Sequence, residues 1–285
     1  MPELPEVETT RKGIEPKTHH QTITKLVIRN PNLRWPVDVH LTDTLPGLQI
    51  LEVGRRGKYL LLRTHKGTLL IHLGMSGNLR VLPIGTAVQK HDHIDLEFDN
   101  GFLLRLNDPR RFGAVLWHDA SEGQLDSHKL LAKLGPEPLS DAFNTEYLYQ
   151  QARNRSVAVK SFIMNSHIVV GAGNIYANES LFLSRIHPQT PAKQLSKAQY
   201  TLLVKNIKQV LAAAIQQGGT TLKDFLNADG KPGYFEQKLN VYGRDKQACP
   251  NCATPIERLV LNQRASYFCP KCQPPKRSRS KNRAK

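Results

Sequence analysis

Residues 94–106 read Ile-Asp-Leu-Glu-Phe-Asp-Asn-Gly-Phe-Leu-Leu-Arg-Leu, and this stretch decides the fold of the N-terminal half of the chain. Two apolar runs flank Asp99-Asn100-Gly101, a triplet typical of the tight turn in a β-hairpin. Similar short runs recur roughly every ten residues on either side, as they do in antiparallel sheets. They lie at Ile23 to Ile28, Tyr59 to Leu62, Leu69 to Leu73 and Ala114 to Trp117. Because no helical stretch separates them, the pattern predicts an antiparallel sandwich or barrel and argues against a doubly wound sheet.

A different pattern begins after the segment Leu134 to Leu139, which contains glycine and two prolines and which we interpret as a linker. The clearest helix is predicted to begin at Ser196, where Gln199 completes a capping box and Leu195 supplies a hydrophobic staple. Gly218-Gly219 is predicted to end it. Its predicted apolar face, spaced at three and four residues, is Tyr200, Leu203, Val204, Ile207, Val210, Leu211 and Ala214.

These patterns predict an α+β multidomain protein. We expect an N-terminal β-sandwich domain at 1–133, a helical domain at 134–238, a segment with all the cysteines at 239–273 and a disordered basic tail at 274–285. After Cys272 the chain has six basic residues, no acidic residue and no apolar pattern. Such a tail is expected to add salt-dependent affinity for a polyanion that does not depend on sequence.

The charge balance indicates a polyanionic partner. The chain has 40 Lys and Arg against 24 Asp and Glu, a formal net charge of +16 in 285 residues. Nucleic acid is favoured over a membrane, because no apolar run approaches the roughly 20 residues of a spanning helix. The acidic N-terminus also lacks the features of a signal peptide. We therefore expect a cytoplasmic, nucleoid-associated protein in a reducing compartment.

All four cysteines lie in one short segment. Cys249, Cys252, Cys269 and Cys272 follow the spacing C-x2-C, sixteen residues, C-x2-C. In a reducing compartment this spacing indicates a zinc site with four thiolate ligands rather than disulfides. The sequence thus predicts one structural Zn²⁺ per chain.

The first eight residues, Met1-Pro2-Glu3-Leu4-Pro5-Glu6-Val7-Glu8, combine a candidate nucleophile with three carboxylates. Once Met1 is removed, Pro2 presents a secondary α-amine that loses its proton near neutral pH. Such an amine can attack a sugar aldehyde and form a cationic iminium ion, while Glu3 delivers or collects the proton. The plainer alternative is that Pro5 to Arg11 opens a helix whose acidic first turn suits the helix dipole.

Three stretches between the predicted strands carry basic, glycine or aromatic residues. In the stretch Arg55 to Tyr59, Lys58 stands at the start of a predicted strand. A solvent-exposed end of the strand is the simpler interpretation of this lysine. His72 to Gly77 is a glycine-flanked turn bearing Met75, which is either a core residue or a wedge between stacked bases. Asp108 to Gly113 sets two arginines beside Phe112. That arrangement suits an unstacked base and its phosphates, although a core phenylalanine is the plainer alternative.

Two further segments have candidate binding residues. Lys90 to His93 has the residues of a metal pair, but we favour a phosphate or structural role because the cysteines already supply a zinc site. Gly171 to Leu181 fails as a dinucleotide fingerprint, since no strand precedes it and the third glycine is absent. As a glycine turn leading into a helix, with Asn174 at the N-cap, it can present backbone N–H groups to a phosphate.

Six of these motifs together resemble the formamidopyrimidine-DNA glycosylase family, in the family's order, from Pro2 to about Cys272. They are Met-Pro-Glu-Leu-Pro-Glu-Val-Glu-Thr at 1–9, Gly-Lys-Tyr-Leu at 57–60, His-Leu-Gly-Met-Ser-Gly at 72–77, Asp-Pro-Arg-Arg-Phe-Gly at 108–113, Gly-Asn-Ile-Tyr at 173–176 and the terminal zinc finger. The resemblance implies a β-sandwich, a helix-two-turn-helix region and a zinc-finger hairpin. It also implies a monomer that removes 8-oxoguanine and formamidopyrimidines from duplex DNA and cleaves the strand at abasic sites.

The resemblance implies catalytic roles for four residues. Pro2 is similar to the Schiff-base nucleophile, and Glu3 to the general acid that opens the sugar ring. Lys58 resembles the proton donor in β-elimination, and Arg264 the one in δ-elimination. The DNA contacts implied by position are Met75, Arg110, Phe112, His91, Arg155, Lys160 and Asn174.

Within that set, Met75, Arg110 and Phe112 match the trio that fills the gap left by the flipped nucleotide, with Arg110 facing the orphaned cytosine. The stretch Thr220 to Tyr234 resembles the loop that closes over the everted purine. Asn165 stands where the family usually has an aspartate, and Ile163 replaces a leucine nearby. We expect that change to affect a local helix contact rather than the chemistry.

Two alternatives remain at this point. An enzyme of the endonuclease VIII type shares the nucleophile and the zinc finger but removes oxidised pyrimidines; the trio and the long loop favour purines. A non-catalytic zinc-containing DNA-binding protein would need only the charge, the helix turn and the zinc finger.

Overall fold

The computed structural model describes residues 2–218 and 239–275. The predicted loop Thr220 to Tyr234 and the basic tail from residue 276 onward lie outside the described residues. The described chain forms two compact units. Unit 1 contains residues 2–134 and the end of the last long helix from residue 212. Unit 2 contains residues 135–211 and 239–275. We describe each unit by itself.

Unit 1 begins with helix α1, Leu4–Thr18, so the helix predicted for this segment is confirmed, whereas the role of Pro2 stays a prediction. Glu3 is the N-cap and has extended backbone angles, and Pro5 lies in the first turn, where a proline costs no helical hydrogen bond. Glu3 and Glu6 form a capping box: each side chain accepts a hydrogen bond from the other residue's backbone N–H. The candidate nucleophile Pro2 therefore directly precedes a firmly defined helix start.

Eight strands follow in unit 1 and form two antiparallel sheets of four strands. Their bounds are β1 Ile23–Ile28, β2 Glu52–Arg56, β3 Tyr59–Arg63, β4 Gly67–His72, β5 Asn78–Pro83, β6 Asp92–Phe98, β7 Phe102–Asn107 and β8 Ala114–Asp119. One sheet has the order β1-β6-β7-β5 and the other β2-β3-β4-β8. The predicted hairpin connects β6 to β7, and Gly101 in its turn has a φ of +82°. A short helix α2, Leu41–Thr44, follows β1.

The core of unit 1 is formed by buried aliphatic side chains from both sheets and from α1, including Val7, Leu60 and Leu104. The predicted antiparallel sandwich is confirmed. Between the runs that the sequence predicted lie two strands that it missed, β2 and β5, and both are edge strands. Their residues are Glu-Val-Gly-Arg-Arg and Asn-Leu-Arg-Val-Leu-Pro, so charge and proline mask the apolar pattern.

Unit 2 is helical up to the zinc-finger segment. Its helices are α3 Thr145–Ala152, α4 Val159–Ile163, α5 Asn174–Leu183 and α6 Lys197–Gln216, and its strands are β9 Glu257–Leu261 and β10 Arg264–Phe268. The capping box before α6 is confirmed, because the N–H of Ser196 donates to Oε1 of Gln199 at 3.1 Å and the N–H of Gln199 donates to Oγ of Ser196 at 3.3 Å. Gly218, with a φ of +80°, follows the end of the helix as predicted.

The predicted N-cap of α5 is wrong by one residue. Gly173 is the N-cap, with a φ of −87° and a ψ of −161°, and Asn174 is the first helical residue. The glycine adopts the extended cap conformation, so the asparagine is free to take helical angles. Gly173 is itself buried, and no side chain makes a cap hydrogen bond at this turn, so the proposed phosphate contact stays a prediction.

Glu179 connects α5 to the chain that leads into the zinc finger. Its carboxylate is 3% exposed, and it accepts hydrogen bonds at 2.8–3.0 Å from the backbone N–H groups of Asn240, Val241 and Tyr242 and from Nδ2 of Asn240. Backbone donors of this kind compensate the cost of burying a carboxylate.

None of the helices in the described residues combines the length and the apolar character needed to span a membrane.

We predict that Glu179→Gln lowers the free energy of unfolding of unit 2 by about 2 kcal/mol. The glutamine side chain has an NH₂ group in place of one carboxylate oxygen, so the backbone donors that faced that oxygen lose their acceptor. Thermal unfolding monitored by circular dichroism measures the change. Glu146→Gln is the matched control, since Glu146 makes an exposed ion pair with Lys197 in the same unit. An equal loss in the two variants would contradict the assigned role of Glu179.

Candidate active site and nucleic-acid interface

Pro2 and Glu3 are both buried, at the N-terminal end of α1. The backbone N–H of Glu3 donates to Oε2 of Glu6 at 2.8 Å, and the side chain of Glu3 accepts from the backbone N–H of Glu6. The positive end of the helix dipole lies at this point and favours carboxylates. The candidate nucleophile and the candidate acid or base are thus placed on adjacent, buried residues.

Lys58 lies in the two-residue turn between β2 and β3. The first residue of that turn, Gly57, has a φ of +58°, which only glycine adopts readily in a hairpin of this kind. Arg55 supports the turn by donating from one nitrogen to the carbonyl of Gly57 at 2.8 Å and from Nε to Glu8 on α1 at 2.9 Å. The turn is only partly exposed, with Gly57 buried and Lys58 half-buried, and Arg55 connects it to helix α1.

His72, at the end of β4, is held neutral near Lys58. Burial, followed by the positive charges of Lys58 and Arg34, lowers the pKa of His72 to about 4. Its Nδ1 accepts a hydrogen bond from the N–H of Gly74 at 3.0 Å, so the proton of the neutral ring is on Nε2. The ring also packs against Tyr59, with 4.9 Å between the centroids. Burial likewise raises the pKa of Tyr59.

Met75 and the Arg110 to Phe112 stretch lie on two loops that pack closely together. A Cβ atom added to Gly74 would meet the backbone of Phe112 at 2.4 Å, so no other residue fits there. Phe112 is 44% exposed, which rules out the alternative of a core phenylalanine. The guanidinium carbon of Arg110 lies 4.9 Å from the centroid of the Phe112 ring. A cation and an exposed aromatic ring side by side suit an unstacked base.

His91 occupies the turn before β6 and has a φ of +72°. The ring of His93 lies 6.3 Å away, and its Nε2 donates to the carbonyl of Asp108 at 2.9 Å. In the part of the chain that the structure describes, the four cysteines are the one group that could hold a metal. The phosphate or structural role of the Lys90 to His93 segment stays a prediction.

The remaining predicted site residues lie in unit 2. Arg155 is exposed after α3, and Asn174 is partly buried at the start of α5. Lys160 is 1% exposed, and its Nζ donates to the carbonyl of Ala265 and to Oγ of Ser266, both at 2.7 Å. Lys160 thus supports the β9–β10 hairpin, whose exposed Arg264 begins β10. The turn of this hairpin, Asn262-Gln263, has positive φ at both residues.

A cavity of about 150 Å³ lies beside this hairpin and is lined by Lys160, Asn165 and Arg264, among others. Oδ1 of Asn165 accepts the N–H of His167 at 3.0 Å. The residue that departs from the family's aspartate therefore makes a local turn contact, and it also lies near Arg264.

The geometry of the four cysteines fits zinc. Their sulfur atoms all lie within 4.8 Å of one another, and three of the separations are 3.5, 3.5 and 3.9 Å. Four thiolates around one Zn²⁺ at about 2.3 Å would be roughly 3.8 Å apart. The N–H groups of Asn251 and Cys272 each donate to a cysteine sulfur at 3.4 Å, as expected around a metal-bound thiolate. Burial raises the pKa of Cys272, and a bound divalent cation would stabilise its ionised form.

Models of three protein domains match the chain. They are the formamidopyrimidine-DNA glycosylase N-terminal domain at residues 1–115, the formamidopyrimidine-DNA glycosylase H2TH domain at 134–226 and the zinc finger found in FPG and IleRS at 246–275. The chain belongs to the formamidopyrimidine-DNA glycosylase family. It is 64% identical over 273 residues to the formamidopyrimidine-DNA glycosylase of Hydrogenovibrio crunogenus, covering 96% of each chain. It is 57% identical over 275 residues to that of Photobacterium damsela subsp. piscicida, covering 96% of this chain and all of the relative.

Solved structures of the family give the same fold. The MutM (Fpg) protein of Thermus thermophilus matches with a TM-score of 0.85 and 37% identity, covering 97% of this chain and 100% of that one. Lactococcus lactis Fpg in complex with DNA containing an abasic site matches with a TM-score of 0.88 and 31% identity, covering 96% and 100%. The predicted fold class, a β-sandwich followed by a helix-two-turn-helix domain and a zinc finger, is confirmed for this family member.

The structure also identifies supporting residues that the sequence did not. His72 and Asp108 had been noted as parts of motifs but without a function, and Glu179 had not been singled out. One signal was available: Glu179 is the single acid in the otherwise uncharged helix Asn-Ile-Tyr-Ala-Asn-Glu-Ser-Leu-Phe-Leu. Its partners are about sixty residues further along the chain, so spacing could not reveal them.

We predict that His72 makes stability depend on pH. Below about pH 6.5 the unfolded chain binds a proton at His72 that the folded protein takes up only near pH 4, so stability falls as the pH falls through this window. The loss is roughly 2 kcal/mol after allowance for partial exposure. Urea unfolding at about pH 7 and about pH 4.5 measures it. His72→Gln should remove this part of the pH dependence.

His65, on an exposed turn of the same unit, supplies the matched control. His65→Gln should keep the pH dependence of the wild type. If His72→Gln loses as much stability on acidification as the wild type does, the burial of a neutral His72 does not account for the effect.

Removal of zinc is predicted to abolish binding to duplex DNA, because the metal orders the segment that carries Arg264. A chelator should release one Zn²⁺ per chain, and a fluorescence anisotropy titration with labelled duplex should then show no binding. Both tryptophans, Trp35 and Trp117, lie in unit 1, so an unchanged tryptophan emission spectrum serves as the control. Full DNA affinity in the stripped protein would contradict the prediction.

Proposed function

We propose that this chain is a base-excision repair DNA glycosylase that removes oxidised purines from duplex DNA and cleaves the strand at the resulting abasic site. The observation that carries the proposal is the buried first turn of α1, which places Pro2 next to Glu3 in the same unit as Lys58. Relatives that share more than half of the sequence are named for this glycosylase activity. Structural relatives hold DNA with an abasic site or with an N7-benzyl-Fapy-dG lesion.

The first chemical stage is base removal. With Met1 removed, the nitrogen of Pro2 attacks C1′ of the damaged nucleotide, and the glycosidic bond breaks with its electron pair passing to the base. The Pro2 nitrogen releases its N–H proton, and the departing base gains one proton. Glu3 protonates the sugar ring oxygen, so the ring opens and an iminium ion remains between Pro2 and C1′. The desolvated position of both residues strengthens these charge interactions.

The second stage is strand cleavage. The iminium ion withdraws electrons from the C2′–H bond, and loss of that proton expels the 3′ phosphate. A second elimination expels the 5′ phosphate, and hydrolysis of the remaining adduct returns the free Pro2 nitrogen. We assign proton transfer in the first elimination to Lys58 and in the second to Arg264.

Access to C1′ requires the damaged nucleotide to leave the stack, at a cost of a few kcal/mol. We propose that Met75, Arg110 and Phe112 fill the space that the everted nucleotide leaves in the stack, with Arg110 facing the unpaired cytosine. Their loops and the exposed Phe112 ring support this role. His91, Arg155, Lys160 and Asn174 are assigned to the DNA backbone, Lys160 through the hairpin that it supports.

The protein is proposed to act as a monomer in the cytoplasm, at the chromosome. A reducing compartment keeps the four cysteines available to zinc, and the net charge of +16 favours DNA. We retain the division into domains at 1–133, 134–238 and 239–273, with a basic tail at 274–285, as part of this proposal.

The proposal predicts that sodium borohydride crosslinks the protein to DNA containing 8-oxoguanine opposite cytosine, because it reduces the iminium ion. Pro2→Gly should lower the trapped fraction by about tenfold or more, since the flexible glycine amine is poorly positioned for attack. Denaturing gel electrophoresis of the trapped complex measures the effect, and anisotropy should show that the variant still binds duplex DNA.

Pro5→Ala is the matched control, because it changes a proline in the same helical turn and leaves the terminal amine intact. A non-catalytic DNA-binding protein would give no trapped complex with any variant. Preference for thymine glycol over 8-oxoguanine opposite cytosine would instead support an enzyme of the endonuclease VIII type.

A further inference from the structure

Asp108 is fully buried in the loop between β7 and β8, and its carboxylate joins two loops of unit 1. Oδ1 accepts a hydrogen bond from Oγ of Ser76 at 2.8 Å, and Oδ2 accepts one from the N–H of Gly113 at 2.8 Å. Oγ of Ser76 in turn accepts the N–H of Arg110 at 3.2 Å. One carboxylate therefore fixes the turn that bears Met75 to the loop that bears Arg110.

The backbone of Asp108 connects a third loop to the same point. Its N–H donates to the carbonyl of His91 at 3.1 Å, and its carbonyl accepts the ring Nε2–H of His93 at 2.9 Å. That carbonyl also accepts the N–H of Arg111 at 3.1 Å. The three loops that converge on Asp108 carry the proposed DNA contacts of this unit: Met75, His91, Arg110 and Phe112.

Close packing leaves these loops little room to move separately. A Cβ atom added to Gly113 would lie 2.9 Å from the carbonyl oxygen of His72 and 3.0 Å from Oδ2 of Asp108. A Cβ atom added to Gly77 would lie 2.3 Å from the carbonyl of Leu73. Both contacts are tighter than an ordinary side chain tolerates. The loops are therefore expected to keep a single relative arrangement as long as Asp108 holds its hydrogen bonds.

We propose that Asp108 is a positioning residue for nucleotide eversion: it holds Met75, Arg110 and Phe112 in one rigid arrangement, so that they enter the duplex together. This inference rests on the function proposed above and assigns Asp108 no contact with the substrate. A carboxylate is suited to the role because both of its oxygens accept hydrogen bonds. An asparagine would place its NH₂ group, itself a donor, against one of the two donors. A glutamate side chain is one methylene group too long to reach both donors in the same way.

Asp108→Asn and Ser76→Ala test the inference, because each breaks the connection between the turn that bears Met75 and the loop that bears Arg110 and Phe112. Asp95→Asn is the matched control. Asp95, in β6 of the same unit, is equally buried and is paired with Arg105 and Arg29, but none of its hydrogen bonds reaches these loops. Thermal unfolding of all three variants separates a general loss of stability from a loss of loop placement.

Two substrates separate eversion from chemistry. One is a duplex with 8-oxoguanine opposite cytosine, which requires the wedge to enter the stack. The other is a single-stranded oligonucleotide with an abasic site, in which no stacked partner strand has to be opened. Single-turnover excision is measured on the first, and borohydride trapping on the second. Fluorescence of 2-aminopurine placed next to the lesion reports the opening of the stack.

For Asp108→Asn we expect excision from the duplex to slow by about tenfold or more, as for other misplacements of a reacting assembly. Ser76→Ala should slow it by about threefold to tenfold, since one hydrogen bond of the connection is lost. The rate of the 2-aminopurine fluorescence change should fall in parallel. Trapping on the single strand should stay within about twofold of the wild type for both variants, because the terminal amine is unaffected.

Any of three results would overturn the inference. In the first, both variants excise from the duplex at the wild-type rate. In the second, trapping on the single strand falls as far as duplex excision does. In the third, Asp95→Asn slows excision to the same degree. If Asp108→Asn does not fold, Ser76→Ala carries the same comparison. A wild-type protein that is not trapped on either substrate would refute the proposed function itself and is recognised before any variant is compared.

Discussion

The first turn of α1 accommodates two buried carboxylates, and the placement of the candidate nucleophile depends on how it does so. Glu3 is 2% exposed and Glu6 is fully buried, and burial of a charged group is costly unless donors replace its water. The helix N-terminus supplies those donors, because its first backbone N–H groups have no partners within the helix. The reciprocal capping box therefore fixes Pro2 and Glu3 at one place in unit 1. Glu8, one turn later, pairs with Arg55 and connects this helix to the turn that bears Lys58.

The same physical solution recurs at two other buried carboxylates. Asp108 accepts from a serine hydroxyl and a backbone N–H and so joins loops that are far apart in sequence. Glu179 accepts three consecutive backbone N–H groups and so places the chain that enters the zinc finger. In each case the carboxylate organises a backbone segment that carries candidate site residues, instead of reacting itself. Sequence motifs predict the reacting residues, whereas these buried acids position the backbone segments around them.

The elements that the sequence predicted correctly are those in which a local pattern carries the information. The β6–β7 hairpin follows from Asp99-Asn100-Gly101, the zinc site from the cysteine spacing, and the start of α6 from Ser196 and Gln199. The sequence pattern does not predict the edge strands β2 and β5, because an edge strand tolerates charged residues and proline, which weaken the alternating apolar pattern. Asn174 was assigned to the N-cap because asparagine favours that position, but Gly173 occupies it. The connection through Asp108 was out of reach, since Ser76 lies 32 residues away.

The central claim is that the nitrogen of Pro2 is the atom that bonds to deoxyribose C1′. The most direct test is mass spectrometry of the borohydride-reduced complex after nuclease and protease digestion. The account predicts a peptide that begins at Pro2, lacks Met1 and carries the reduced sugar on its terminal nitrogen. A sugar adduct on a lysine, or an active enzyme with Met1 still attached, would contradict the account.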